Sequence, residues 1–194
     1  MKKHLLSGLA IAALCVPAFA ALNTGDSAPD FSAPASLAGK EFHFSLADAM
    51  KKGPVVVYFY PSAYTKGCDL EAHTFATQKD QFTAAGTTII GVSEDSISRL
   101  NMFSADPDYC AGAFPVASDP DGKIGTSYGI TASAAKDGMK DVKGNEIGHG
   151  FFERTTFVIN KGKIVATLSS TTDHLSPDAH VTKSLEIVQH LGGK

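Results

Sequence analysis

Cys68 is the residue of this sequence whose position most clearly indicates a reactive side chain. It follows an apolar run at 55–60 and precedes a stretch with helical spacing, which predicts a position at a strand-to-helix turn. Unpaired backbone N–H groups and the positive end of the helix dipole at such a turn favour the thiolate over the thiol. The sequence therefore predicts a nucleophilic cysteine.

Two neighbouring residues have side chains that suit the same turn. Thr65, three residues before the sulfur, can aim a hydroxyl into it, and Pro61 lies seven residues before the sulfur. Each alone is an ordinary turn residue, and a lone cysteine is usually an inert small hydrophobe. It is their spacing to Cys68 that favours a reactive site.

The elements around this turn predict an α/β fold. Strand, helix, strand, helix, strand indicates parallel neighbours with right-handed crossovers, and a hairpin and a closing helix follow. This is a thioredoxin-like layout, a central mixed sheet flanked by helices. The predicted strands are 42–46, 55–60, 87–92, 114–117, 155–159 and 163–168, and the predicted helical segments are 48–51, 69–85, 96–105 and one starting at Ser176. Residues 131–150 are predicted to form a long loop, which is often functional or mobile.

The first twenty residues are predicted to be a signal peptide. Lys2 and Lys3 precede a short apolar core at 5–16, and Ala18-Phe19-Ala20 is a small-x-small cleavage signal. The core is too short for a stable transmembrane helix. Leu14 disfavours lipid attachment at Cys15. We expect cleavage after Ala20 and one domain over residues 21–194.

Composition then limits the function classes. Removal of residues 1–20, which include Lys2 and Lys3, would leave 174 residues with 15 basic and 20 acidic side chains, a net charge of −5. Mild acidity argues against nucleic-acid binding. No second apolar stretch could cross a membrane, so the mature product is expected to be soluble, periplasmic or secreted, and a monomer or weak homodimer. Its two cysteines, Cys68 and Cys110, are too few for a disulfide-stapled miniprotein.

The chain resembles the peroxiredoxins, the alkyl hydroperoxide reductase/thiol-specific antioxidant type, and is most similar to the bacterioferritin-comigratory (Q-type) group. The residues that carry the resemblance are Pro61-x-x-x-Thr65-x-x-Cys68, Ala28-Pro29-Asp30-Phe31, Glu71, Phe114-Pro115-Val116-Ala117-Ser118-Asp119, Tyr128-Gly129 and Arg154-Thr155-Thr156-Phe157-Val158-Ile159. The match covers most of the chain after residue 20.

The resemblance implies a thiol peroxidase. Cys68 would attack one peroxide oxygen and become a sulfenic acid. Arg154 would be a cation that stabilises the thiolate, although a lone Arg before a strand is ordinarily solvated. Thr65 would hydrogen-bond sulfur and peroxide, Pro61 would shield the site from water, and a thioredoxin-like protein would return electrons without a cofactor.

Cys110 is the open question. A second cysteine resolves the sulfenic acid in the family, and His73 stands where a closely spaced one would be. The predicted helix 96–105 runs away from the end of the sheet that carries Cys68. We therefore expect that pairing needs a rearranged segment 106–112 or a second subunit. The hypothesis is that Cys110 resolves Cys68, and the alternative is a free structural thiol.

Two departures from the family pattern and two other functions remain. Asp69 replaces the usual Thr after the cysteine and is expected to raise the thiol pKa slightly, and the loop 131–150 is longer than in compact members. Phe151 and Phe152 suggest packing or an apolar entrance. The histidines lack ligand spacing, so no metal is expected.

Two other functions fit these residues less well. A redox sensor or disulfide oxidoreductase would normally carry Cys-x-x-Cys. A noncatalytic binding module has no reason to keep the complete set of Pro61, Thr65, Cys68 and Arg154.

Overall fold

The computed structural model describes residues 20–192, and its centre is a seven-stranded mixed sheet of order β2-β1-β5-β4-β3-β8-β9. A small second sheet pairs β6 with β7. The elements are β1 (Ser32–Leu37), β2 (Lys40–Ser45), α1 (Leu46–Met50), β3 (Val55–Phe59), α2 (Lys66–Ala84), β4 (Thr88–Ser93), α3 (Ile97–Ala105), β5 (Val116–Ser118), α4 (Lys123–Ser127), β6 (Ala132–Ser133), β7 (Phe151–Phe152), β8 (Thr155–Asn160), β9 (Lys163–Ser169) and α5 (Pro177–Gly192).

The strand β3 lies inside the sheet, between β4 and β8. All five of its residues are buried, as expected for a near-continuous apolar run covered on both faces. It pairs in parallel with β4 and antiparallel with β8. In the second ladder Phe59 lies opposite Thr155, so the residue before β8 lies beside the carboxyl end of β3. That end is also where the chain turns into α2.

Helices cover both faces of the sheet. On one face α2, α3 and α5 pack over a core that includes Phe75, Phe103 and Val181. On the other face α1 packs with the loops that carry Tyr128 and Phe152. Right-handed crossovers place α2 and α3 on the same side, which leaves the carboxyl ends of β3 and β4 free to carry functional groups.

The predicted thioredoxin-like α/β fold is confirmed. The six predicted strands and four predicted helical segments are present, and α2 begins at Lys66, before the predicted start at 69. Three features, β1, α4 and the β6–β7 pair, were not predicted from the sequence. The strand β1 consists mainly of small residues, and β6 and β7 have two residues each, so neither shows a clear periodicity.

Two predictions about the ends of the chain are not tested by the fold. Residues 1–19 of the predicted signal peptide lie outside the described residues, and the domain boundary at 21 stays a prediction. Within residues 20–192, no helix combines the length and apolar character that a membrane crossing needs.

Candidate active site

The turn between β3 and α2 is built around a strained residue. Tyr64 has φ of 60°, a left-handed conformation that is uncommon for a bulky side chain. The surrounding structure holds it there: Lys143 Nζ lies 4.1 Å from the centre of the Tyr64 ring, and the backbone N–H of Val142 donates to the Tyr64 carbonyl at 2.9 Å. The bend allows Thr65 to take the N-cap position of α2 in extended conformation.

Cys68 occupies the third position of α2, in its first turn. The residue is only 2% exposed and carries a free thiol. This confirms the predicted location of Cys68 at the start of a helix that follows an apolar strand. The sulfur therefore lies within the protein and has little contact with solvent.

Arg154 reaches the sulfur because of the register between β8 and β3. Its Nη2 donates to Cys68 Sγ at 3.3 Å, and its Nη1 pairs with the buried carboxylate of Glu71. Burial raises the pKa of Glu71 to about 7, although the charge of Arg154 opposes that shift. The guanidinium is thus shared between the Cys68 thiol and one buried acid.

The sequence predicted a lowered pKa for Cys68, and the structure shows a raised one. Burial raises the pKa of the Cys68 thiol above its ordinary value. The charge of Arg154 and hydrogen-bonding groups of Thr65 and Ser62 act in the opposite direction. The sequence indicated these stabilising groups, but the cost of moving a thiolate out of water depends on packing and outweighs them.

Thr65 and Pro61 lie in the turn as predicted, each half-buried. The Thr65 hydroxyl donates to the Ser62 carbonyl at 2.8 Å. Its hydrogen is therefore held by the backbone in this state, whereas the family resemblance implied a bond to the sulfur. The bond fixes the Thr65 side chain next to the Cys68 turn.

Cys110 lies closer to the active-site turn than the topological expectation placed it. It is fully buried and belongs to the same core cluster as Cys68. The segment after α3 folds back along α2, so that the His73 ring Nδ1 lies 3.1 Å from the Asp108 carbonyl and the Tyr109 ring is 5.3 Å from that of Tyr64. Both thiols are free, so the pairing still requires movement.

The charge of Asp69 acts on the Cys110 thiol. Its charge and that of Asp106 raise the pKa of the Cys110 thiol, on top of a larger increase caused by burial. The pKa of Asp69 is itself raised to about 6, first by burial and then by Asp106. From the sequence, Asp69 was expected to raise the pKa of Cys68 slightly, and in the structure its charge acts on Cys110. In the closed structure Cys110 is strongly held in its protonated form.

The structure also brings together three residues that sequence reasoning missed. Asp95, Arg99 and His149 form a buried charged group behind the turn. The one available signal was the position of Asp95 just beyond the carboxyl end of a parallel strand, where functional groups of α/β sheets gather. Nothing local in the sequence connects it to His149, which lies in the predicted long loop.

That loop is an ordered part of the site. β6 and β7 pair at its base, and an isolated antiparallel β-bridge joins the backbone at Lys140 to that at Glu146. Phe152 is buried against Phe59, with ring centres 5.6 Å apart, which favours the packing interpretation over an apolar entrance. No group of three or more potential metal ligands occurs among residues 20–192.

Comparison with known proteins decides the family. The AhpC/TSA family model matches residues 24–167. The chain belongs to this family. Peroxiredoxin Q from the chloroplast of Populus jackii is 30% identical over 173 residues, which cover 89% of this chain and 71% of the relative. This chain is therefore a peroxiredoxin, a thiol-dependent peroxidase and an oxidoreductase.

Two solved structures of peroxiredoxins resemble the chain. Peroxidoxin BcpB from Mycobacterium tuberculosis has a TM-score of 0.70 at 26% identity, covering 88% of this chain and 98% of the other. The bacterioferritin comigratory protein of Xanthomonas campestris has a TM-score of 0.63 at 27% identity, covering 82% and 91%. These similarities confirm the predicted resemblance to the Q-type group.

Proposed function

We propose that Cys68 is the peroxidatic thiol of this peroxiredoxin and that it reduces hydrogen peroxide and organic hydroperoxides. The supporting observation is the Arg154 Nη2 to Cys68 Sγ contact at 3.3 Å inside a buried helix N-terminus. The thiolate attacks one peroxide oxygen, the O–O bond breaks, and the other oxygen leaves as an alcohol or water after taking up a proton. Cys68 becomes a sulfenic acid.

Three residues support this step in different ways. Arg154 carries a charge that cannot be titrated away, so it stabilises the thiolate and the negative charge that develops on the leaving oxygen. Thr65 is held by Ser62 at the edge of the turn, where its oxygen can position the peroxide. Pro61 offers a wall without an N–H donor and limits the access of water.

The organic part of the substrate class has support from a relative. The bacterioferritin comigratory protein of Xanthomonas campestris has alkyl peroxide reduction activity. Exposed apolar side chains flank the site here on both sides of the turn, Leu70 on α2 and Val142 on the long loop. An alkyl group could contact them while the peroxide meets Cys68.

Resolution is proposed to use Cys110. Its thiol attacks the sulfenic sulfur, which forms the disulfide and releases water, and a thioredoxin-like dithiol then reduces the disulfide. The segment that carries Cys110 already contacts α2 through the Asp108 carbonyl and contacts Tyr64, in the turn before α2, through Tyr109. Because burial raises the pKa of Cys110, the attack requires this segment and the start of α2 to open first.

The enzyme is further proposed to act outside the cytoplasm, in the periplasm or after secretion. The support is the arrangement of Lys2, Lys3, the apolar core and Ala18-Phe19-Ala20. Intact-mass measurement of the protein from a cell fraction checks this. A mass that retains residues 1–20 would contradict it. Size-exclusion chromatography checks the expected monomer or weak homodimer.

The central test compares the wild type, Cys68→Ser and Cys110→Ser in a peroxide-consumption assay with a dithiol reductant. The Cys68→Ser variant should lose activity to background. The matched control is Cys110→Ser, which should still consume one equivalent of peroxide because it retains the nucleophile. Undiminished turnover in the Cys68→Ser variant would overturn the proposal.

A further inference from the structure

A buried charged cluster lies behind the active-site turn, outside the set Cys68, Arg154 and Glu71. Its centre is Asp95, which is fully buried. Its carboxylate lies 2.8 Å from Arg99 Nε and 2.8 Å from His149 Nε2. It also accepts hydrogen bonds from the Ser93 hydroxyl at 2.8 Å and from the Ser62 hydroxyl at 3.0 Å. Burying a carboxylate is costly unless cations and donors compensate it, and here both kinds are present.

His149 is held as a cation by its two neighbours. Its Nε2 faces the Asp95 carboxylate, and its Nδ1 lies 2.7 Å from the Gly150 carbonyl. Both partners are acceptors, so both contacts are hydrogen bonds only when both ring nitrogens carry a proton. The hydrogen bond and charge of Asp95 raise the pKa of His149 above its ordinary value, although burial opposes this.

The cluster is not a hydrolase triad. In such a triad one ring nitrogen faces the serine and the other faces the carboxylate. Here Nε2 faces both Asp95 and the Ser62 hydroxyl, the latter at 3.3 Å, and the hydroxyl is 3.0 Å from the carboxylate. Ser62 is fully buried and has no open side for a substrate. The arrangement holds groups in place.

What it holds is the turn that presents Cys68. The Ala63 N–H donates to Asp95 Oδ2 at 2.8 Å, and Arg99 Nη2 donates to the Ala63 carbonyl at 2.8 Å. The Ser62 carbonyl in turn accepts a hydrogen bond from the Thr65 hydroxyl at 2.8 Å. A continuous set of polar contacts therefore leads from His149 through Asp95 to the N-cap of the nucleophile's helix.

We propose that protonated His149 is a positioning residue for peroxide reduction, which clamps the long loop 134–150 onto Asp95 and thereby fixes the Ser62–Thr65 turn. The proposal rests on the peroxidatic role of Cys68. Arg99 also pairs with Asp141 of the same loop at 2.9 Å, so the loop is held at two points. When His149 loses its proton, the ring keeps a single N–H and its ion pair with Asp95 is lost. Arg99 still neutralises Asp95, so the fold persists while the loop is held less tightly at this end.

The other charged groups near the His149 ring either raise its pKa, as Asp95 does, or are paired with a group of opposite charge. Glu94 lies beside His149 and also raises its pKa. Burial raises the pKa of Glu94 itself, and the hydrogen bond from the Gly150 N–H opposes that shift. Asp119 adds negative charge next to Glu94. Arg99 is the opposing cation, and Asp95 and Asp141 both pair with it. The clamp is therefore present below the ordinary histidine pKa and is lost as the pH rises through the raised pKa of His149.

The test measures the rate constant of Cys68 oxidation by hydrogen peroxide as a function of pH, divided by the thiolate fraction from ultraviolet absorbance. The proteins are the wild type, His149→Gln and, as matched control, His43→Gln, whose exposed ring lies on β2. In wild type and control the constant should fall about tenfold as His149 deprotonates, because small misplacements cost one to two orders of magnitude. In His149→Gln it should be low and independent of pH.

One outcome for the variant overturns the proposal. If His149→Gln shows the wild-type pH profile, scaled or not, then its role is merely structural or absent. This failure differs from failure of the proposed function, which would appear as unchanged activity in Cys68→Ser.

A measurement on the wild type keeps the proposal testable if His149→Gln does not fold. Hydrogen exchange of residues 60–68 and 134–150, corrected for the intrinsic effect of pH, should become faster over the same pH interval as the fall in rate. The sensitive amides are those of Ala63 and Val142, which are bonded to Asp95 and to the Tyr64 carbonyl. Corrected exchange that stays constant across this interval would overturn the clamp.

Discussion

Arg154 and Cys68 are 86 residues apart in sequence, yet Nη2 of the arginine lies 3.3 Å from the sulfur. The antiparallel register of β8 on β3 places Arg154 beside the active-site turn. The same guanidinium pairs with Glu71, which lies one turn along α2 from the cysteine. One cation is therefore shared between a buried thiol and a buried acid.

Replacement of the cation should disable the thiol. In Arg154→Met the side-chain stem remains but the charge and donors are lost. We expect the rate constant for peroxide to fall about 10²–10³-fold, as when one preorganised donor to developing charge is removed. The pKa of Cys68 should rise further, since Arg154 opposes the effect of burial. Stopped-flow kinetics and ultraviolet titration of the thiolate measure both. Lys183→Met, an exposed change on α5, is the control and should leave both unchanged.

Neutralisation of Glu71 should shift the charge of Arg154 toward the sulfur. In Glu71→Gln we expect a lower pKa for Cys68, because a nearby anion is removed from a buried site. The pKa of Glu71 is raised to about 7, so in wild type its contribution to stability decreases as the pH rises from about 4.5 to about 7. That slope should disappear in the variant. Urea unfolding across this interval checks the slope, and an unchanged slope would show that Glu71 is not the titrating group.

A methyl group at Gly67 should separate stability from activity. A Cβ there would lie 3.2 Å from Arg154 Nη2 and 3.4 Å from Pro177, so the guanidinium must move by a few tenths of an ångström. Replacing a helical glycine with alanine favours the helix by about 0.5–1 kcal/mol. We expect Gly67→Ala to keep or gain stability but to lose about tenfold in peroxide rate. Gly192→Ala, with open space around its Cβ, is the control. Full activity in Gly67→Ala would show that the arginine position is not critical.

Cys110 should determine which oxidised product accumulates. After one equivalent of peroxide, wild type should show the mass of a disulfide, and Cys110→Ser the mass of the sulfenic acid or of a further oxidised Cys68. Non-reducing intact-mass spectrometry distinguishes the sulfenic acid, an internal disulfide and a linked dimer. The same disulfide state in both proteins would contradict a resolving role for Cys110.

His180 should make the fold sensitive to acid. Its ring is fully buried between the Thr156 and Ser170 hydroxyls, each 3.0 Å away. Burial, followed by the charge of Arg154, lowers its pKa to about 4. The stability contribution is complete above the unfolded pKa near 6.5 and is lost as the pH falls toward 4, an effect of about 3 kcal/mol. In His180→Gln, denaturant unfolding should vary less with pH over this interval. A variant that keeps the wild-type pH dependence would be incompatible with this assignment.

The parts that could be predicted from sequence are those encoded locally. The apolar strand at Val55–Phe59, the turn after it and the helix that carries Cys68 follow from periodicity and from turn chemistry. β1 was missed because small residues weaken the pattern, although pairing with β2 and β5 places it within the sheet. The strand pairings, not the local pattern, identify it as a strand.

The sequence by itself indicated the candidate nucleophile, the order of most strands and helices, and the strand β8 that follows Arg154. Only the tertiary structure decided three other features: that burial raises the pKa of Cys68, that the segment carrying Cys110 folds back along α2, and that His149 reaches Asp95. The physical reason is that desolvation and ion pairing depend on which distant residues meet. These contacts arise from strand register and loop packing over many residues, and no short stretch of sequence contains them.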